Sequence, residues 1–455
     1  MSRPERLILV AAILGSFVAF LDMSVVNVAL PAIRRSLGGG ISAQQWIVDA
    51  YLLSLSSLIL IAGSVSDLFG RKRVFAAGLV GFGLTSVLCA LAPTPTFLIA
   101  ARGLQGVAAA LLVPSSLALI LDGFTGDAQA HAIGSWTAWT GISFLIGPLL
   151  GGALVDAGGA QASSAGSWRW VFGINVVPVA VTLLVTWRLP PDRAPPAGRR
   201  VDLPGAALCA AGLAGLTFGL IEQPRGGWSA PWVWIPFTAG AVLSAAFVIW
   251  ERAAATPMLD FALFRNRNFA AGNAATLAIY AGLSAATFVL TLFLQQVAGY
   301  SALASGLALL PVTLLMFALS PRFARLARRH GPRLFMAAGP AVAGIGLWLL
   351  GRISPHPAYA RDLLPGVLAF GVGLAATVAP LTAAVLGDID QSQSGVASAV
   401  NNAVARVAGL LAVAAVGARS FGPAMSTTAA LLWIGALISA VGITNATALI
   451  QREPR

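Results

Sequence analysis

Two long apolar runs are separated by the stretch GSVSDLFGRKR, residues 63–73. Gly63 is expected to let a neighbouring helix approach closely, and Gly70 to permit a sharp reversal of the backbone. Arg71, Lys72 and Arg73 place three positive charges at a membrane boundary, which favours the cytoplasmic side. The stretch therefore predicts two membrane-spanning helices joined by a tight cytoplasmic turn.

The composition is that of a polytopic membrane protein. Of 455 residues, 58% are hydrophobic and only 10% are charged, whereas a soluble domain carries about 25% charged residues. The net charge of +12 comes from basic residues in short loops between apolar runs rather than on one face with interleaved aromatic residues. A lipid bilayer is therefore the predicted partner, and nucleic acid is not.

An α-helix needs about 20 apolar residues to cross a bilayer. This criterion predicts spans near residues 7–32, 45–66, 74–92, 97–121, 133–156, 168–188, 205–221, 231–250, 269–295, 303–320, 334–351, 363–386, 396–417 and 424–448. With the N-terminus inside, most of the 28 Lys and Arg residues fall on the cytoplasmic side, as the positive-inside rule requires. We therefore expect an all-α protein of the cell membrane with both termini in the cytoplasm.

A weak internal repeat predicts two similar halves. Residues 320–333 occupy the same place in the second half as residues 63–73 in the first, and keep a glycine and the positive charge. Duplicated helical bundles around a central path are a transporter architecture. The predicted division is therefore a six-helix bundle, a basic Pro-rich loop, two inserted helices and a second six-helix bundle, at residues 1–190, 191–204, 205–252 and 253–455.

Few ionisable residues lie within the predicted spans. Each costs about 2.5–3.5 kcal/mol near the bilayer centre and marks a functional candidate. Asp22 lies in the first span, where shelter from water favours its protonated form, so it could carry a proton or only bond a neighbouring helix. Arg102 and Gln105 begin the fourth span in the same half of the membrane. Arg102 could therefore pair with Asp22, either as a switch or as a fixed structural ion pair.

Other polar and aromatic residues are candidates for a substrate cavity. Asp49 lies near the outer end of the second span, where it lines the cavity mouth or, as its position favours, is a solvated boundary residue. Arg406 lies in mid-span and faces the central path or bonds helix carbonyls. The remaining cavity candidates are polar side chains or aromatic side chains for the cavity wall: Gln105, Asn401, Asn402, Trp136, Trp139 and Tyr280.

A Gly-Pro element interrupts the fifth predicted span at residues 141–152, GISFLIGPLLGG. Pro148 removes a backbone hydrogen bond, and the glycines allow a bend and close helix packing. The glycines concerned are Gly141, Gly147, Gly151 and Gly152. The element therefore predicts a hinge or kink in this helix.

The sequences around Asp22, residues 63–73, Arg102 and residues 141–152 occur in the order found in the major facilitator superfamily. Over essentially the whole chain they resemble its fourteen-span drug:proton antiporters of the EmrB/QacA type. The resemblance implies a major facilitator fold, proton coupling at Asp22 and Arg102, and an antiporter motif at residues 141–152.

The resemblance also implies a cytoplasmic gate formed by Gly63, Asp67, Gly70, Arg71 and Lys72. In that gate Asp67 faces the N-terminus of a helix that begins near Gly395, whose positive dipole end suits a carboxylate. Leu68 stands where the family carries a basic residue, so a charge relay within the loop is not predicted.

The sequence disfavours other functional classes. Lys72, the only lysine, is followed by Arg73, so the chain lacks the Gly-Lys-Ser/Thr of a phosphate-binding loop. The sequence contains no cluster of His, Cys and carboxylate residues and no nucleophile with an adjacent base. Neither an enzyme nor a metal site is therefore predicted. Cys89 and Cys209 each lie in an apolar run.

The predicted function is a proton-coupled secondary exporter of amphipathic small molecules, such as drugs or antibiotics, that works by alternating access. Its cargo is expected to be neutral, monocationic or anionic, and its only energy source a proton gradient without any cofactor. An importer or uniporter of a small metabolite uses the same fold and is the alternative. The sequence does not indicate whether a periplasmic adaptor protein takes part.

Overall fold

The computed structural model describes residues 2–157, 166–192, 201–254, 257–387, 389, 394–417 and 419–445. Every regular element within these residues is helical. Fourteen helical segments in this part of the chain are long and apolar enough to cross a membrane. The predicted all-α fold and its number of spans are thereby confirmed.

The helices of the first part of the chain are α1 Arg3–Leu37, α2 Ile41–Phe69, α3 Arg71–Ala90, α4 Pro95–Gly123, α5 Gly126–Asp156, α6 Arg169–Gly173, α7 Val176–Trp187, α8 Leu203–Gly226 and α9 Pro231–Ala253. Those of the remainder are α10 Arg267–Gln296, α11 Ala302–His330, α12 Pro332–Leu350, α13 Leu364–Leu386, α14 Ser394–Val416 and α15 Phe421–Gly442. A 3-10 turn at Phe261–Arg265 precedes α10, and a π turn at Tyr359–Leu363 precedes α13.

The chain divides into two compact units. The first contains Met1–Met258 and the short segment Ser301–Gly306, and the second contains Leu259–Tyr300 and Leu307–Arg455. In the first unit α4 packs on α2 and α3, α1 packs on α5 and α7, and the inserted pair α8 and α9 attaches through α8 to α2. In the second unit α10 packs on α14 and α15, and α12 packs on α13 and α15.

Local sequence explains several helix starts. Thr94 caps α4 by accepting the backbone N–H of Phe97, with Pro95 at the first helical position. Asn266 caps α10 in the same way by accepting the N–H of Phe269. These side chains satisfy backbone donors that have no partner within the helix.

The tenth span extends further than predicted. We expected it to end near residue 320 and residues 320–333 to form a loop, but α11 continues to His330. Arginine has a high helix propensity, and a helix can continue outside the bilayer. The basic segment therefore extends the helix beyond its apolar part. The turn is confined to Gly331, whose φ of +85° corresponds to the φ of +98° at Gly70 in the first half.

The sixth span is interrupted. Residues 168–188 were predicted as one helix, whereas α6 ends at Gly173 and α7 begins at Val176. Pro178 lies in the first turn of α7, where its missing N–H is tolerated. The break places Asn175 at the N-terminus of α7 with its side chain buried.

Candidate functional site

A buried ion pair joins α1 to α4. Arg102 Nη1 lies 2.5 Å from Asp22 Oδ2, and the two side chains are 1% and 0% exposed. Desolvating each charge costs several kcal/mol, so such a pair is stable only with good geometry and additional hydrogen bonds. The pairing that the sequence made possible is present in the structure.

Two side-chain amides complete the surroundings of Asp22. Asn175 Nδ2 donates to Asp22 Oδ1 over 2.7 Å, and Gln105 Nε2 donates to the same oxygen over 3.2 Å. Ser86 Oγ lies 2.9 Å from Gln105 Nε2 and 3.3 Å from Asn175 Nδ2, and accepts from both. Because Arg102 and both amides all donate, this arrangement stabilises the ionised carboxylate, which only accepts hydrogen bonds.

Arg102 links three helices. Besides Asp22 on α1, its Nη1 donates to Gln105 Oε1 over 2.6 Å, and its Nε donates to the backbone carbonyl of Ile47 on α2 over 3.2 Å. The guanidinium also lies over the ring of Tyr51, 4.3 Å from the ring centroid, where a cation–π attraction adds to the pairing. A change of charge at Asp22 therefore acts on the contacts among α1, α2 and α4.

Asn175 and Ser86 were not predicted as site residues. Asn175 falls in a segment to which the family resemblance extends, but a neutral amide in an apolar run equally suits helix packing. Ser86 carries no sequence signal, because hydroxyls in membrane helices commonly bond their own backbone. Only the folded structure brings both side chains to the proton-coupling candidate.

The Gly-Pro element packs on α1 beside the ion pair. A Cβ atom at Gly147 would overlap the side chain of Ser24, and one at Gly151 would lie 3.0 Å from the backbone carbonyl oxygen of Val25. Ser24 and Val25 follow Asp22 by two and three positions. The glycines therefore allow α5 to touch the turn of α1 that carries the carboxylate.

The other edge of the element holds the first turn of α11, which belongs to the same unit. A Cβ atom at Gly152 would lie 2.5 Å from Leu303 Cα. Asp156, at the end of α5, accepts the backbone N–H groups of Ala302 over 3.2 Å and of Leu303 over 2.8 Å. A carboxylate at a helix N-terminus is favourable. Asp156 thus fixes this contact, a role that was not predicted.

Gly70 makes the turn between α2 and α3 possible. Its φ is +98°, a conformation that residues with a Cβ rarely adopt. Asp192, beyond α7, accepts the backbone N–H groups of Lys72 over 2.7 Å and of Arg73 over 3.2 Å. Lys72 Nζ in turn donates to the carbonyl of Leu189 over 2.5 Å. The segment after α7 therefore caps α3, and a side chain at Gly70 would collide with Asp192.

Two ion pairs, which were not predicted, are present at this turn. Arg71 lies 3.1 Å from Asp67 and 3.6 Å from Asp122 at the end of α4, and donates to the carbonyl of Ala118 over 3.0 Å. Arg71, four positions after Asp67, supplies a positive charge to this carboxylate, which Leu68 does not. The contact of Asp67 with the helix near Gly395 stays a prediction.

Two glycines do not have the packing role expected of them. At Gly63 and Gly141 a Cβ atom would meet no atom of the described residues within 4 Å, so the predicted close helix approach at Gly63 is wrong. Gly141 precedes Gly147 by six positions and therefore points about 240° around the helix axis from it, away from α1.

Asp49 is buried, so its description as a solvated boundary residue is wrong. Its side chain is 0% exposed. The position of Asp49 along its span could not show this, because the burial depends on the inserted helix α8, which packs beside α2. The rings of Trp46 and Phe218 lie 6.0 Å apart, and Trp46 Nε1 donates to Glu222 over 3.1 Å.

The two predicted cavity-wall tryptophans of α5 differ in their surroundings. Trp136 Nε1 lies 3.0 Å from Ser16 Oγ and 3.2 Å from Ser116 Oγ, which ties α5 to α1 and α4. Trp139 is 49% exposed. Their part in a cavity stays a prediction.

The candidates of the second unit lie on α10 and α14. Asn401 Nδ2 donates to Asn273 Oδ1 over 3.1 Å and to Thr276 Oγ1 over 2.8 Å, which joins the two helices. Asn402 is exposed, and Tyr280 and Arg406 are partly buried. Their roles toward a substrate also stay predictions.

Metal-ligand chemistry has no candidate in the part of the chain that the structure describes, since it contains no group of three or more His, Cys, Asp or Glu side chains that could hold an ion. Both cysteines are free. Cys89 Sγ lies 3.5 Å from Gln105 Oε1 at the edge of the Asp22 network.

Comparisons with known proteins indicate the family of this chain. The family model described as Major Facilitator Superfamily matches residues 12–413. The Multidrug resistance protein Stp of Mycobacterium tuberculosis (strain CDC 1551 / Oshkosh) is 34% identical over 92% of this chain and 76% of its own length. The Cephamycin export protein CmcT of Amycolatopsis lactamdurans is 36% identical over 89% of this chain and 83% of its own length.

Among solved structures, the crystal structure of a D-xylose-proton symporter matches with a TM-score of 0.68. The match covers 97% of this chain and 98% of the symporter at 14% identity. At that identity the likeness concerns the fold alone.

Proposed function

Because this chain belongs to the Major Facilitator Superfamily, we propose that it is a proton-coupled exporter of amphipathic small molecules such as drugs or antibiotics. Export is supported by the Gly-Pro element on α5 and by the names of the multidrug resistance and cephamycin export relatives. The fold by itself does not fix the direction of transport, since it is shared with a xylose–proton symporter.

The observation that carries the proposal is the surroundings of Asp22. Arg102, Gln105 and Asn175 all donate to this one buried carboxylate. A proton that binds Asp22 removes the negative charge on which the contact with Arg102 depends. The protonated acid also donates a hydrogen bond, whereas the ionised carboxylate only accepts hydrogen bonds. Proton binding therefore weakens the contacts that hold α1 to α4 and to the start of α7.

The Gly-Pro element passes this change on. Gly147 and Gly151 lie on the two residues that follow Asp22 closely, and Gly152 and Asp156 hold the first turn of α11. A shift of α1 on protonation displaces α5 and hence the start of α11. This sequence of contacts gives the proton site a physical route to an alternating-access movement.

The cargo contacts aromatic walls and a few polar side chains, as small-molecule sites generally do. Trp136, Trp139 and Tyr280 supply the aromatic surface in this proposal, and Gln105, Asn401, Asn402 and Arg406 supply polar groups. Arg406 suits an anionic group on the cargo, whereas neutral or monocationic cargo depends on the walls.

The turn between α2 and α3 serves as the cytoplasmic gate, with Asp67, Arg71 and Asp122 as its charged contacts. Both termini lie in the cytoplasm of a multi-pass cell-membrane protein, because most basic residues flank that side. The division at residues 1–190, 191–204, 205–252 and 253–455 is part of the same proposal. A proton gradient is the only energy source, and no cofactor takes part.

Reconstituted vesicles with an imposed pH gradient test the proposal. Wild-type protein should drive the efflux of dyes or antibiotics against their gradient, and an uncoupler should stop it. Asp22→Asn should abolish the gradient-driven flux and retain some cargo binding, while Asp202→Asn, which alters a carboxylate that caps α8, should retain the flux. Accumulation in the direction of proton flow would identify an importer and refute export.

A further inference from the structure

Asp49 differs from Asp22 in one respect. Both side chains are 0% exposed, but neither carboxyl oxygen of Asp49 has a hydrogen-bond partner in the described part of the chain. Asp22, by contrast, receives hydrogen bonds from Arg102, Gln105 and Asn175. Two buried acids on neighbouring helices therefore have opposite surroundings.

An ionised carboxylate without donors is strongly disfavoured away from water, and protonation relieves that cost. We propose that Asp49 is a second proton-binding site, protonated in this conformation, which releases its proton in a conformation where the carboxyl group is hydrated. The proposal rests on the proposed proton-coupled transport and adds one proton to each cycle. It does not alter the role of Asp22.

Among the residues that the structure describes, the charged groups on the helices packed against α2 leave Asp49 without a counter-ion. On α1 and α4, Asp22 and Arg102 engage each other. On α8, Glu222 accepts from Trp46, one turn before Asp49, and pairs with Arg225 at 3.1 Å. Other charged groups lie in the terminal turns of the helices: Arg34 and Arg35 in the last turn of α1, and Arg71, Lys72, Arg73 and Asp122 around the far end of α2.

Arg102 connects the two acid sites. Its Nε donates to the carbonyl of Ile47, two residues before Asp49, while its Nη1 holds Asp22. A proton that binds Asp22 frees one face of the guanidinium, and the remaining contact is with the turn of α2 that carries Asp49. Movement of α2 relative to α4 is then the step that exposes the Asp49 carboxyl group to water.

The number of protons per cargo molecule tests this directly. In vesicles with a pH gradient of one unit and no membrane potential, each coupled proton supports about a tenfold steady-state cargo ratio, because one pH unit corresponds to about 1.4 kcal/mol. Asp49→Asn should therefore lower the steady-state ratio about tenfold. Glu222→Gln, which alters an acid on α8 that already has partners, should leave the ratio unchanged.

An unchanged ratio in Asp49→Asn would overturn the second proton site. So would a variant that loses affinity for cationic cargo alone, since Asp49 would then bind cargo rather than a proton. A wild-type protein without gradient-driven flux would instead refute the proposed transport itself. Loss of net flux with retained cargo exchange would support the proposal, because exchange needs no net proton movement.

An infrared measurement gives an answer even where flux is lost. Purified protein near neutral pH should contain the carbonyl-stretching band of a buried protonated carboxylic acid. Asp49→Asn should remove this band and Asp49→Glu should shift it, while Asp22→Asn should retain it. A spectrum in which no such band responds to substitution at Asp49 would contradict the proposal.

Discussion

Asn175 donates a hydrogen bond of 2.7 Å to Asp22 although 153 positions of sequence separate them. The break between α6 and α7 places this amide at the ion pair, where it stabilises the ionised carboxylate. Without it, Asp22 retains Arg102 and Gln105 as donors, and the ionised form is weakened by the loss of one hydrogen bond to a charged group.

We expect Asn175→Ala to lower both gradient-driven flux and thermal stability. The substitution removes the hydrogen bond from the start of α7 to Asp22, and a hydrogen bond to a charged group contributes about 1.5–3 kcal/mol. Thr182→Ala is the control, because that α7 hydroxyl bonds the carbonyl of Pro178 in its own helix; equal losses in both variants would contradict the role of Asn175.

We expect Asp22→Asn to destabilise the protein as well as to stop coupled transport. Removal of one partner of a buried ion pair leaves an uncompensated charge and costs about 3–5 kcal/mol. The double variant Asp22→Asn/Arg102→Gln should regain most of this stability and still lack coupled flux. Thermal unfolding in detergent measures the first effect and vesicle flux the second. If the double variant were no more stable than the single one, the pair would not be the source of the loss.

The ion pair was predictable because charged residues within apolar runs are rare and cost free energy in a membrane. Asp22 and Arg102 therefore stand out in the sequence. Asn175 and Ser86 were not, because neutral polar side chains are common in membrane helices. The burial of Asp49 was not predictable, because it depends on the packing of other helices around α2. One of these, the inserted helix α8, lies far from α2 in the sequence. The ion pairs of Arg71 were not predicted because family resemblance compares residues position by position, whereas the Arg71 guanidinium reaches the Asp67 carboxylate from four positions later.

We expect Gly147→Ala to impair transport and stability, because the new methyl group would overlap Ser24. Overpacking of a tight contact costs about 1–3 kcal/mol, and here it would push α5 away from the turn of α1 that follows Asp22. Gly141→Ala is the matched control on the same helix, since a Cβ atom there meets no atom within 4 Å in the part of the chain that the structure describes. Flux and thermal midpoint should fall in Gly147→Ala and remain near wild type in Gly141→Ala.

The stretch of residues 63–73 offers a pair of glycine substitutions with opposite expected effects. Gly70→Ala should destabilise the protein, because a residue with a Cβ is strained at a φ of +98° and its methyl group would displace Asp192 from the start of α3. Gly63→Ala should be neutral or stabilising by about 0.5–1 kcal/mol, because alanine is favoured over glycine within a helix and meets open space there. Thermal unfolding of both variants measures the difference, and engineered cysteines near Arg73 report whether the turn opens. A destabilised Gly63→Ala with an unaffected Gly70→Ala would mean that close packing at Gly63, rather than the backbone reversal at Gly70, holds the two helices together.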